Sequence, residues 1–90
     1  MAYELKAGDD SSCELIERAA GATISNTTPI PLSKAAVLAI MRDLFSNAEN
    51  KEIVSGAVCA ERMRDGIRIK CGITHIALTN PIAMEIMVNA

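Results

Sequence analysis

Hydrophobic and polar positions change their period several times along this 90-residue chain, and each change marks an element. Tyr3 and Leu5 alternate with Glu4 and Lys6, which predicts a short edge strand over residues 3–6. Cys13, Ile16 and Ala20, with Leu15 and Ala19 beside them, then form the apolar stripe of an amphipathic helix ending near residue 20. Its start looks well specified. Ser11 and Glu14 have the S-x-x-E spacing in which the serine hydroxyl accepts a backbone N–H and the glutamate reaches back. Asp9 and Asp10 stand where a helix dipole favours negative charge, and Gly21 is placed to close the helix in a left-handed conformation.

Residues 22–25 read as a short strand. Residues 26–31 (NTTPIP) read as a loop, because two prolines in three residues deny both a helix and a central strand. A second helix is expected over residues 34–46. Ser33 is its N-cap, and Leu32 with Val37 forms a hydrophobic staple. Only Lys34, Arg42 and Asp43 are charged in it, so it lies in the centre of a core or is covered by another chain.

Residues 51–65 fit two patterns. A helix buries Ile53, Val54, Ala57, Val58 and Ala60, tolerates Gly56 at about 1 kcal/mol, and ends at Gly66. A strand turns at Asp65-Gly66 into a hairpin that sets Glu61 opposite Lys70 but Arg62 opposite Ile69. The polar break before Lys51 and the AERMR run favour the helix. Residues 67–79 alternate as a strand through Ile67, Ile69, Cys71 and Ile73, and the phase shifts past His75. That shift predicts a bulge or bend near residues 72–75, or two short strands. Asn80-Pro81 starts a closing helix over residues 81–90 whose one charge is Glu85. The expected fold class is α+β: one small domain spanning residues 1–90, about four helices packed on a small antiparallel or mixed sheet.

Composition narrows the function. Half of the chain is hydrophobic, yet it holds no Trp, one Tyr (Tyr3) and one Phe (Phe45). Aromatic rings anchor interfaces, stack on bases and wall cofactor pockets, so this aliphatic chain keeps few tools for recognition. A net charge of −2 with so much apolar mass excludes a disordered chain. No apolar run approaches the roughly 18 residues of a membrane span. The first residues lack a basic stretch followed by an apolar one, so no signal peptide is read and the expected location is cytoplasmic. Cys13, Cys59 and Cys71 are then expected as reduced structural thiols.

No catalytic, cofactor or metal residues are expected. His75 with the three cysteines has the makings of a Cys₃His zinc set, but there is no C-x-x-C pair and the ligands are scattered over three elements. Cys71 and His75 would stand about 13 Å apart in a regular strand, too far for a nucleophile and its base. Glu14 and Glu17, like Asp9 and Asp10, read as the solvated start of a helix. The glycines are single and scattered, unlike a phosphate-binding loop.

Two features remain. Arg62, Arg64, Arg68 and Lys70 fall within nine residues, interrupted only by Asp65, so this window carries +3 and the rest of the chain −5. The cluster reads as a solvated rim or, functionally, as a small contact patch for an anionic ligand, RNA or an acidic protein. The second feature is apolar surplus: five methionines and two nearly uncharged helices exceed the needs of one small core. That predicts a homo-oligomer, with Leu38, Met41, Phe45, Met84 and Met87 as the candidate interface. The reading is a non-enzymatic cytosolic binding or interaction protein acting as a homo-oligomer. The alternative is a small anionic-ligand or nucleotide-binding protein with an intersubunit pocket where arginines meet phosphate. A helix-turn-helix nucleic-acid binder ranks behind both, since an acidic chain without a basic helix is a poor ligand for duplex DNA.

Overall fold

Strands, not helices, dominate the chain. The computed structural model describes residues 2–18, 21, 25–47 and 51–90. Three strands come first: β1 (Ala2–Ala7), β2 (Cys13–Arg18) and β3 (Ser25–Ile30). Helix α1 (Lys34–Phe45) follows, then β4 (Glu52–Ser55), β5 (Val58–Arg62), β6 (Gly66–Cys71) and β7 (Thr74–Thr79), and α2 (Asn80–Val88) closes the chain. Two antiparallel sheets result, a small one in the order β1-β2-β3 and a large one in the order β4-β5-β6-β7. The expected fold of about four helices on a small sheet is therefore overturned by a fold of two helices and seven strands among the described residues.

The helix expected over residues 11–20 is β2. Its sequence CELIER also satisfies period two, with Cys13 and Leu15 buried on one face and Ile16 buried on the other beside the Glu4–Arg18 ion pair. Pairing on both sides, with β1 and β3, outweighs the local cap signal. The Asp9 carboxylate instead organises the β1–β2 turn, accepting from the Ser11 N–H at 2.9 Å and from the hydroxyls of Ser11 and Ser12 at 3.0 Å each. These bonds, the Ser11 N–H foremost, hold the Asp9 carboxyl below its ordinary range. Their contribution is present above the ordinary carboxylate pKa and is lost as pH falls through the lowered value. The expected helix end at residues 19–20 lies outside the described residues, and so does the strand expected over 22–25 except for Ser25, which begins β3. The loop expected over residues 26–31 is mostly β3, an edge strand, which has room for Pro29 because it pairs with β2 alone.

Residues 51–65 form the hairpin of β4 and β5 followed by a three-residue loop. Gly56 takes a φ of 58° at the first position of the β4–β5 turn, the positive φ that two-residue hairpin turns demand. The β5–β6 register is Glu61 opposite Arg68 and Arg62 opposite Ile67, two residues away from the sequence expectation for Arg68 and Ile67. Residues 67–79 form two strands, joined at Gly72, whose φ is 61°. Helix α1 forms where expected, and the Ser33 hydroxyl caps it by accepting from the Ala36 N–H at 3.1 Å. Helix α2 starts one residue early, with Thr79 as N-cap and no side-chain cap bond.

Alternation gives the large sheet an apolar inner face, and both helices pack on it, α1 toward β4 and β5, α2 toward β6 and β7. Strand β1 touches both helices, which joins the small sheet to the same core. Leu5, Cys13, Leu15 and Ile30 from the small sheet therefore pack in one cluster with Met41, Leu44, Ile67 and Ile86. Among the described residues no helix is long and apolar enough to cross a membrane.

Candidate functional site

The inner face of the small sheet has two halves. Register places Tyr3, Glu17 and Asn26 in one row, Leu5, Leu15 and Thr28 in the next, and Ala7, Cys13 and Ile30 in the last. The apolar end of this face enters the core. Its polar end, Tyr3, Glu17, Asn26 and Thr28, lines a cavity of about 260 Å³ with Leu15 and residues 74–78 of β7. Strand β7 is the outer strand of the large sheet. The two-residue turn at Gly72-Ile73 makes Cys71–Thr74 a hydrogen-bonded pair, so Thr74, Ile76 and Leu78 bond to β6. The N–H and C=O groups of His75 and Ala77 then point away from β6, along the free edge that forms the second wall.

Four of the polar side chains on this face and on β7, and the Glu17 carboxylate, have no partner among the described residues. Glu17 and Thr28 are half-buried and Asn26, Thr74 and His75 exposed, and none of these side chains makes a hydrogen bond or ion pair to a described residue. Leu15, Ile76 and Leu78 supply an apolar floor. Convergent polar groups over an apolar floor in a concavity are the usual make-up of a small-molecule site.

The basic cluster has a different character. Arg62 is structural. Its Nη1 donates to the carbonyls of Met63 at 3.1 Å and Gly66 at 2.8 Å and to Asn80 Oδ1 at 3.0 Å, and its guanidinium lies 4.5 Å from the centre of the Phe45 ring. Arg68 and Lys70 share the Glu61 carboxylate, at 3.3 and 3.8 Å. Arg64 is exposed and makes no hydrogen bond or ion pair to a described residue. The four cations do not converge on one unoccupied position.

The expected helical interface is also divided. Leu38 and Met41 are 7% and 1% exposed inside the chain's own core, because α1 spends its apolar face on β4 and β5. Phe45 is half-buried under Arg62, and Met87 is half-buried against the core. Met84, 50% exposed, faces outward with Val88, 76% exposed, four residues on.

The three cysteines and His75 do not come together as one cluster, although Cys13 and Cys71 pack on the same core. Cys71 points to the inner face of the large sheet, while Cys59 and His75 flank Lys70 on the outer face. Among the described residues no group of three or more His, Cys, Asp or Glu side chains is placed to hold a metal ion. All three thiols are free, and burial, the leading cause in each case, raises their pKa values. Iodoacetamide on the folded protein should therefore label Cys59 and Cys71 first and Cys13, 1% exposed, last. Peptide mass spectrometry over a time course checks this order, and early labelling of Cys13 would contradict the packing of β2 on the core.

Sequence reasoning missed Glu17, Asn26, Thr28 and Tyr3 as a group. One signal was present: in the series Cys13, Leu15, Glu17 a carboxylate takes a position of core parity, visible only when residues 13–18 are read with period two. Comparison with known proteins finds no matching family model, no matching curated protein and no matching solved structure.

Proposed function

We propose that this chain is a non-enzymatic cytoplasmic binding protein that holds a small polar molecule in the cavity between the two sheets. The observation that carries the reading is the set of polar side chains without a partner among the described residues, Glu17, Asn26 and Thr28, lining one concavity over an apolar floor. Polar groups in a concave site forgo part of their hydration, and a ligand that bonds them restores it. The test is a thermal-denaturation screen of small polar compounds, followed by ¹⁵N NMR mapping of hits. A true ligand at saturating concentration should raise Tm by more than about 4 °C. It should also move the amides of residues 3, 17, 26–28 and 74–78. Hits that map elsewhere, to the basic cluster for instance, would refute the assignment. The alternative of an arginine-lined anion pocket draws no support, since Arg62, Arg68 and Lys70 are already engaged and the described lining of the cavity holds no Lys or Arg.

A second reading, that the protein acts as a homo-oligomer, is favoured by one observation. Pro81, Met84 and Val88 form an exposed apolar stripe on α2, whose one charged residue is Glu85. Pairing of two copies through this stripe would cover it in an isologous contact. Sedimentation at high micromolar concentration should show a dimer that Met84→Glu with Val88→Glu converts to monomer. A wild-type monomer under those conditions refutes the oligomer.

A further inference from the structure

We infer that the inter-sheet cavity selects a small organic cation, a primary ammonium carried on a short apolar chain. The inference rests on the reading of this cavity as a ligand site and adds the charge class. Among the described residues the lining contains one carboxylate, Glu17, and no Lys or Arg. Two cations adjacent to lining residues are committed elsewhere. Arg18, next in sequence, points to the opposite face and pairs with Glu4 at 3.1 Å. Lys70, across from His75, is held by Glu61 at 3.8 Å. Among the described residues the Glu17 charge is thus uncompensated at a half-buried position, where the interaction with an opposite charge is stronger than in bulk water.

The neighbours of Glu17 suit an ammonium group. Tyr3 is its direct partner on β1 and Asn26 its direct partner on β3. A carboxylate beside an aromatic ring combines ion pairing with cation–π attraction. An ammonium has three N–H donors and no acceptor. The cavity offers acceptors in the Glu17 carboxylate, the Asn26 amide oxygen, the Thr28 hydroxyl and the free-edge carbonyls of His75 and Ala77. A divalent metal ion is a poorer match, since it takes several oxygen ligands with more than one carboxylate in most sites. The floor of Leu15, Ile76 and Leu78 accepts a short alkyl chain, and about 260 Å³ has room for a small molecule of that kind.

The test uses the full chain and three probes of one shape, n-butylammonium, n-butanol and butyrate, in ¹⁵N NMR titrations. Butylammonium should give saturable shifts at residues 3, 17, 26–28 and 75–77, butanol weaker ones and butyrate none. Glu17→Gln should weaken butylammonium about tenfold and leave butanol unchanged, as loss of a charge-assisted bond requires. Asn26→Asp, on the outer strand of the small sheet, adds a second carboxylate and should tighten butylammonium severalfold. An acetyl-Gly-Lys-Gly-amide peptide distinguishes the source of the ammonium. Binding tighter than butylammonium assigns the site to a lysine side chain, and weaker or equal binding to a free amine. Butyrate or butanol binding as well as butylammonium, or indifference to both substitutions, overturns the charge class and leaves the cavity as a ligand site. No shift from any probe up to its solubility overturns both readings.

Discussion

Arg62→Ala should cost about 2–4 kcal/mol of stability, far more than any other change in the basic cluster. One nitrogen of Arg62 satisfies the carbonyls of Met63 and Gly66 and the amide oxygen of Asn80, so it ties the β5–β6 loop to the start of α2. The same guanidinium lies over Phe45 near the end of α1. A hydrogen bond from a charged donor contributes about 1.5–3 kcal/mol, and a cation–π contact about 0.5–2 kcal/mol. These do not add, because removing one partner loosens the rest. Arg62→Lys should recover little, since a single ammonium cannot span the three acceptors and also stack on the ring. Arg64→Glu, on an exposed residue without a partner among the described ones, should change stability by less than about 0.5 kcal/mol. Urea denaturation of the three variants checks the contrast. A loss below about 1 kcal/mol for Arg62→Ala would make Arg62 an ordinary surface charge.

That contrast shows what the linear pattern of charge conveys and what it leaves out. Four cations in nine residues read as one patch, but strand alternation sends them to different neighbours. Arg62 lies on the inner parity with Ala60 and Val58, while Arg68 lies on the outer parity against Glu61. Parity was legible only after residues 51–62 were known to be strands. Gly56 was read as a cost within a helix, whereas its positive φ makes it the turn. Helix α1 was legible because cap, staple and apolar stripe agree, which is the condition under which local signals are decisive. In residues 11–18 they conflict. The Ser11–Glu14 spacing is worth about 1 kcal/mol to a helix, and pairing with two neighbouring strands while burying Cys13, Leu15 and Ile16 is worth several times that. The candidate site inherits that conflict. Read as a helix, Glu17 is a solvated acid at the start of an exposed face. Read as a strand, it is a carboxylate on the inward face of a sheet, and Tyr3 and Asn26 become its neighbours although they are 14 and 9 positions away in sequence.

Gly66→Ala should be the most damaging single-methyl addition in the chain, costing about 3 kcal/mol or more. The sequence offered Gly66 as the end of a helix or, in the less favoured hairpin, as part of an Asp65-Gly66 turn, in either case for its freedom of φ. The structure gives it a different role. Gly66 is buried as the first residue of β6, and its φ is not among the positive ones. A Cβ placed there would overlap the Leu78 carbonyl oxygen on the adjacent strand, so the requirement is space rather than conformation. The backbone cannot easily retreat. The Gly66 carbonyl accepts from the Met63 N–H and from Arg62 Nη1, each at 2.8 Å, and the neighbouring Asp65 carbonyl accepts from the Asn80 N–H at 2.8 Å. Separation of β6 from β7 would therefore loosen the anchor of α2 as well. Gly56 and Gly72 provide the control. Both have φ near +60° and open space where a Cβ would go. Gly→Ala at either should cost about 1–2 kcal/mol, the penalty of a left-handed alanine. Asn, which tolerates that conformation, should restore most of the loss at Gly56 or Gly72 and none at Gly66. Thermal denaturation of the six variants separates the two requirements. If Gly66→Ala proves as mild as Gly56→Ala, or if Asn rescues position 66, then β6 and β7 do not approach so closely there, and the route by which Arg62 reaches Asn80 must be redrawn.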